Sequence, residues 1–388
     1  ARDLEWLGLC PDAVEYQSKR LDAYDRAAEK LKSDGRLYPC YETADELERR
    51  RRVQLAAGKP PVYDRAGLKL DDKERARLEG EGRKPHWRFR LDHRDVVFDD
   101  LIRGHQTFDM ASLSDPVLIR EDGSYLYTLP SVVDDIDMNI SHVIRGEDHV
   151  TNTAVQIEIF KALGAEPPQF AHHSLLTGAD GKGLSKRLGS LSIDTLRNDG
   201  LEAMAIVSHA SLIGTSEAIV PCQSLEEVTG LFDLSKMSRA PARFDVEELK
   251  ALNARLLHEM AYETARDRLR ELGIEASEDF WLVVRGNIAV MSDAKLWSDV
   301  VYGDIEPVVG DEDRDFIALA KELLPDGVWD AGTWKAWTGA LEQASGRKGR
   351  ALFMPLRLAL TGQSHGPELA SLLPLVGREK TISRLSEN

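Results

Sequence analysis

Between Tyr125 and Leu191 the order of apolar and polar positions carries the most information about function. Ile140 to Ile144 is β-prone and largely apolar, which predicts a short buried strand that stops at Arg145-Gly146-Glu147-Asp148. Ala154, Val155, Ile157, Ile159, Phe160 and Leu163 then recur at helical spacing. The expected helix has Thr151 or Asn152 as N-cap, Gly164 at its C-terminal end and Pro167-Pro168 to stop it. A second strand is expected from Phe170 to Leu176, running into the glycine-rich loop Gly178 to Gly183 and the tripeptide Ser185-Lys186-Arg187. Strand, helix, strand, loop is the order of a parallel α/β sheet. Ligands of such sheets sit beyond the carboxyl ends of the strands, where Arg145 and Lys186 fall.

Upstream, the period predicts a helix over Leu21–Leu37 ended by Gly35, and a second over Thr43–Ala57 opened by a Thr43-x-x-Glu46 capping box. The second helix carries Arg49 to Arg52, either a solvated face or a contact for RNA phosphates. Trp87–Leu91, Asp95–Ile102 and Val117–Arg120 read as strand segments, and Glu121 to Ser124 as a hairpin turn. Residues from about 25 to 124 are thus expected to form a mixed α+β block. Downstream, helices are expected over Ile193–Leu212, Ser224–Gly230 and Val246–Met260, with a basic loop at Phe232–Asp245. From 261 to 388 the pattern is nearly all helix, at Thr264–Leu272, Asp279–Met291, Asp313–Leu324, Thr333–Ala344, Gly349–Thr361 and Pro367–Leu373.

The 388 residues suffice for several domains, and 42% hydrophobic with 30% charged residues is the balance of a soluble globular chain. No apolar run approaches membrane-spanning length and no signal peptide opens the chain. Three widely spaced cysteines, Cys10, Cys40 and Cys222, argue against a disulfide framework and for a reducing, cytoplasmic location. The net charge of −16 argues against binding nucleic acid by bulk attraction, though local basic patches remain compatible with it.

The loop GADGKGLSKR fits neither standard nucleotide-binding glycine motif: Lys186 stands where a dinucleotide fingerprint needs its third glycine, and no glycine has Walker A spacing. What remains is a glycine loop offering backbone N–H groups and two cations to an anion, or a surface turn with incidental charge. An arginine at the sheet edge must find an anion. Arg145 has either an internal partner among Asp134, Asp135, Asp137 and Asp148 or the carboxylate of a substrate. The aspartates could themselves hold a metal, or cap helices and face solvent.

VVDDIDMNISHVIRGEDHVTNT followed by GLSKR closely resembles the second half of the catalytic domain of bacterial glutamyl-tRNA synthetases. The resemblance continues through DLEWLGL, YETADEL, SLSDPVLIREDGS, FDLSKMSRAPARFD, LNARLLH and GRKGRALFMPLRLALTG, covering essentially the whole chain. It implies an α/β fold: a class I synthetase Rossmann-like catalytic domain over 1–190, with an acceptor-binding α+β insertion at about 25–124. A stem-contact region over 191–260 and an all-α anticodon-binding domain over 261–388 would follow. GLSKR corresponds to the KMSKS signature, which makes Lys186 the catalytic contact to ATP phosphates, with Gly183, Ser185 and Arg187 beside it. Arg145 and Tyr127 would bind glutamate. Arg49–Arg52, Arg239, Arg243, Arg347, Lys348 and Arg350 are the candidates for tRNA contact. Lys236-Met237-Ser238-Arg239 matches the signature only in spelling.

The resemblance also implies ATP with Mg²⁺, L-glutamate and tRNA-Glu, with tRNA-Gln as a further possible substrate, and a monomer. Some members carry a Cys-x-Cys zinc site in the insertion. Here the segment reads Cys40-Tyr41-Glu42 with no cysteines near Tyr63, so zinc is not expected. No HIGH-type motif occurs, so the first strands of the catalytic domain are expected to be missing and the chain to be inactive alone. The alternative function is a non-catalytic tRNA-binding module.

Overall fold

The computed structural model describes residues 1–178, 181, 183 and 192–386. Ser185, Lys186 and Arg187 lie outside the described residues. The strands are β1 (Leu37–Cys40), β2 (His86–Phe89), β3 (Asp95–Asp100), β4 (Gly104–Asp109), β5 (Val117–Ile119), β6 (His142–Gly146), β7 (Gln169–His173), β8 (Leu176–Thr177) and β9 (Ala242–Arg243). They form a sheet of order β1-β2-β5, a sheet of order β4-β3-β7-β6, and the pair β8-β9. β6 and β7 run parallel, with Arg145 opposite His172, and β3 joins β7 in parallel at Asp100 and Phe170. The expected parallel unit is present. Within the 25–124 block, β3 and β4 return to its sheet, so that block and the parallel unit share one core with Phe89, Met110, Leu129, Ile159 and Phe170 in it.

Several elements follow from local signals. Thr43 and Glu46 form the capping box that starts the helix Ala44–Ala56. Gly164 ends the helix Val150–Leu163 in the left-handed conformation, at φ 84°. Asp122 and Gly123 make the hairpin turn, closed by the Arg120 N–H on the Ser124 carbonyl.

Others are displaced. The expected strand Ile140–Ile144 begins two residues later, because Met138 to Ile140 close the preceding helix Thr128–Asp137. Asn139 turns to φ 52° and the Ile140 N–H bonds the Asp135 carbonyl at 2.9 Å. It is also not buried on both faces: β6 bonds only β7, and Ile144 is 52% exposed. The following helix is N-capped by His149, not Thr151 or Asn152, since a 3₁₀ turn at Glu147–His149 leads into it. The expected strand Phe170–Leu176 splits at Ser174-Leu175 into β7 and β8, which belong to different sheets. Likewise Ile193–Leu212 is two helices, Ile193–Asn198 and Ala203–Leu212, parted at Gly200, whose φ of 84° no β-branched or bulky side chain adopts readily. Beyond β9 the described residues hold helices only, built around Trp281 and Trp337, each with its indole N–H satisfied by a backbone carbonyl.

Candidate amino-acid site at the sheet edge

The helix Val150–Leu163 packs across the sheet with Thr153 to Phe160 continuously buried. Its apolar side chains drive that burial, and Thr153 and Gln156, one turn apart on the same face, are carried in with them. Buried polar groups need partners. They find Arg145, which leaves the carboxyl end of β6 and donates from Nη2 to Thr153 Oγ1 at 2.7 Å and to Gln156 Oε1 at 2.5 Å. Its Nε donates to His172 Nε2 at 3.3 Å and its Nη1 to the Tyr127 hydroxyl at 3.2 Å. Gln156 is fixed in turn by donating to Ser131 Oγ at 2.8 Å. Every one of these partners is neutral.

Of the internal carboxylates considered as partners, Asp134, Asp137 and Asp148 face other groups, and Asp135 feels the Arg145 charge without bonding it. Arg20 bonds Asp134 at 2.7 Å and Asp137 at 2.6 Å, and Asp148 lies 3.8 Å from His149. Asp135, half-buried, has its carboxyl pushed up to about 6 by burial, opposed by the Arg145 charge and reinforced by Asp134. Among the described residues no carboxylate lies within ion-pair distance of Arg145. Within the acidic run Arg20 takes Asp134 and Asp137, and among the described residues its carboxylates do not converge as metal donors. Tyr127 precedes the helix Thr128–Asp137, is half exposed, and lies edge-on to His149 with ring centroids 5.6 Å apart. Arg145 and Tyr127 are therefore adjacent at the carboxyl end of β6.

Residues 1–251 match the family pattern described as tRNA synthetases class I (E and Q), catalytic domain, and residues 306–388 match an anticodon binding domain. The chain is 59% identical over 398 residues to glutamate–tRNA ligase 1 of Brucella ovis, covering 99% of this chain and 87% of that protein. It is 58% identical over 388 residues to glutamate–tRNA ligase 2 of Methylorubrum populi, covering 100% and 86%. The crystal structure of a glutamate tRNA ligase from Elizabethkingia meningosepticum in complex with its amino acid superposes with a TM-score of 0.83 at 27% identity, covering 100% of this chain and 87% of that one. The chain belongs to the class I glutamyl- and glutaminyl-tRNA synthetase family.

On the synthetase framework the other candidates separate by their contacts. Gly183, exposed, forms a β-bridge with Thr177. Arg239 donates from Nε to the Ile102 carbonyl at 3.2 Å, tying the loop before β9 to the turn after β3. Arg243, in β9, is exposed. Arg347 pairs with Asp313 and covers the Phe316 ring at 4.5 Å, so it also fastens helices together. Lys348 pairs with Glu342 at 3.1 Å and Arg350 is exposed. On the insertion helix, Arg50 pairs with Glu42 and Asp64, and Arg51 and Arg52 with Glu48. Lys236 pairs with Glu217 at 2.7 Å.

The insertion holds one donor cluster that sequence spacing did not reveal. Cys40 and His86 are cross-strand partners on β1 and β2, and with Glu42 their donor atoms lie within 4.8 Å of one another. His86 Nε2 and Glu42 Oε2 are buried without a hydrogen-bond partner. Structural zinc is held by four donors with thiol ligands ionised. Here the donors number three, and the Tyr63 hydroxyl bonds Cys40 Sγ at 3.4 Å and Glu42 at 2.9 Å. A four-coordinate structural zinc does not fit this set as it stands. His86 was missed because it lies beyond the Cys-x-x spacing and meets Cys40 only through strand pairing.

Proposed function

We propose that this chain is a glutamate–tRNA ligase, which joins glutamate to tRNA-Glu at the expense of ATP through a glutamyl adenylate, in the cytoplasm and as a monomer. The observation that carries the reading is Arg145: a guanidinium at the carboxyl edge of a parallel sheet, held by four neutral side chains and left without a carboxylate of its own. A ligand bearing a carboxylate completes it, and glutamine in the same place would leave the cation facing an amide. The high identity to named glutamate–tRNA ligases supports catalysis over a non-catalytic tRNA-binding module.

In the first step an oxygen of the glutamate α-carboxylate forms a bond to the α-phosphorus of ATP as the bond to the leaving pyrophosphate breaks. In the second, a terminal ribose hydroxyl of the tRNA bonds the acyl carbon and AMP leaves, the hydroxyl proton passing to solvent or phosphate. Neither step requires a protein nucleophile, so the chain contributes position and charge stabilisation. Tyr127 and Arg145 orient glutamate. Lys186, with Gly183, Ser185 and Arg187, is assigned to the ATP phosphates, which Mg²⁺ accompanies. Arg239, Arg243, Arg347, Lys348 and Arg350 are assigned to the tRNA backbone, the exposed Arg243 and Arg350 being the more available.

A charging assay with purified tRNA-Glu and tRNA-Gln tests the proposal and defines the tRNA range. With a HIGH-type segment supplied, glutamylation of tRNA-Glu is the expected product, and these 388 residues alone are expected to charge little. Charging with glutamine in preference to glutamate would overturn the assignment of Arg145.

A further inference from the structure

Behind Arg145 lies a chain of buried groups that makes no direct contact with the ligand position. His172 on β7 is fully buried, and its Nδ1 lies 2.5 Å from Asp100 Oδ2 on β3. Asp100 also accepts the backbone N–H groups of Ile102, Arg103 and His172 through Oδ1, at 2.9, 2.8 and 3.2 Å. Burial opposes its ionisation, but the Arg103 N–H, the His172 ring and the Ile102 N–H together hold its carboxyl below the ordinary value, so it is a carboxylate. A carboxylate can only accept, so Nδ1 carries the imidazole proton. Arg145 Nε–H can only donate, at 3.3 Å, so Nε2 is the bare nitrogen, and the Thr153 hydroxyl lies against it as well, at 2.9 Å. The two contacts fix one tautomer. Burial also holds His172 below the ordinary histidine value against the pull of Asp100, and the Arg145 charge lowers it further, so the ring is neutral.

We infer that His172, locked in this tautomer by Asp100, is a positioning residue for glutamate: it aims the Arg145 guanidinium and keeps that cation unneutralised. This inference rests on the assignment of Arg145 to glutamate. A carboxylate bonded directly to Arg145 would orient it equally well but would compete with the substrate carboxylate for the same N–H groups. Placing the imidazole between them solves that problem. Asp100 polarises the ring and so strengthens Nε2 as an acceptor, while its own oxygens stay out of reach of the ligand. Thr153 and Gln156 then hold Nη2, leaving Nη1 and the open face beside Tyr127 for the incoming anion.

Asp100→Asn is the discriminating substitution. The asparagine oxygen can still cap Ile102 and Arg103, but its NH₂ now faces Nδ1 and drives the proton to Nε2, where it opposes Arg145 Nε–H. Glutamate KM should rise about 10- to 100-fold, the scale of a misaimed binding group, while the KM values for ATP and tRNA and the melting temperature stay near wild type. An unchanged glutamate KM, or a parallel rise in all three constants, overturns the inference. In the unsubstituted protein, selectively ¹⁵N-labelled histidine should show His172 as the neutral Nδ1–H tautomer at pH 7.5. An Nε2–H or doubly protonated ring overturns it whether or not the variant folds. Arg145→Ala measured alongside separates the two assignments. If it leaves glutamate KM unchanged, the glutamate site itself is wrongly placed. If it raises KM where Asp100→Asn does not, only the positioning role fails.

Discussion

Replacing Arg145 by alanine deletes a cation whose four hydrogen bonds all go to neutral partners. Truncating one member of a desolvated charge pair costs about 2–5 kcal/mol. Tyr127 beside it is 52% exposed and Arg145 itself is only half-buried, so the pair with glutamate is partly solvated. The lower part of that range applies, about 2–3 kcal/mol, or roughly 30- to 200-fold in kcat/KM for glutamate. Arg145→Lys keeps the charge but not the planar fork. An ammonium cannot span Thr153 and Gln156 on one side and His172 and Tyr127 on the other, so a smaller loss, roughly tenfold, is expected. The measurement is tRNA charging with labelled glutamate over a range of concentrations, repeated with glutamine as competitor, with ATP KM and melting temperature recorded alongside. Alanine should also narrow the preference for glutamate over glutamine. A glutamate KM indistinguishable from wild type in both variants, with discrimination intact, would refute the reasoning and leave Arg145 as a buried polar anchor.

Lys186→Ala should slow ATP–pyrophosphate exchange far more than it weakens tRNA binding in a filter assay; equal exchange rates would remove Lys186 from the ATP site. Asp135 has a folded-state carboxyl at about 6 against an ordinary value of 3.8, so between those limits the folded protein holds a proton that the unfolded chain has lost. Stability from this group therefore falls as pH rises from about 4 to 6, and Asp135→Asn should raise the melting temperature at pH 7 more than at pH 4; a uniform shift across that range would show the burial cost is absent. A Cβ added to Gly366, whose φ is 136°, would fall 1.9 Å from the Trp297 ring. Gly366→Ala should therefore cost about 1–3 kcal/mol by overpacking and backbone strain, read from urea unfolding, and a neutral result would mean that Trp297 swings away. Elemental analysis of the purified protein should find far less than one zinc per chain, whereas one equivalent that disappears in His86→Ala would show that Cys40, Glu42 and His86 do hold the metal.

The sequence by itself determined the features whose causes are local. The capping box at Thr43 and Glu46, the left-handed Gly164, the hairpin at Asp122-Gly123 and the all-helical region past residue 261 need only neighbouring residues to form, and the structure contains each. A second capping box at Asp71 and Glu74 starts the helix Asp72–Gly80 and was equally legible, though its weak apolar period hid it. Arg145 and Tyr127 could be named in advance because both lie in one contiguous stretch of chain.

Tertiary structure alone decided what those residues touch. β9 is too short, and β1 and β4 too ordinary in composition, to be recognised without the strands they pair with. β6 has the apolar content of a buried strand, yet it lies at an edge, because pairing partners and not side-chain pattern place a strand within a sheet. Arg20 reaches Asp134 across 114 residues and holds it and Asp137, two of the aspartates that could have paired with Arg145. Asp100 and His172, 72 residues apart, meet only because β3 and β7 run side by side. Periodicity records which face a residue turns toward the core. It carries no record of which distant group waits there, and the charge left on Arg145 was settled by those distant groups.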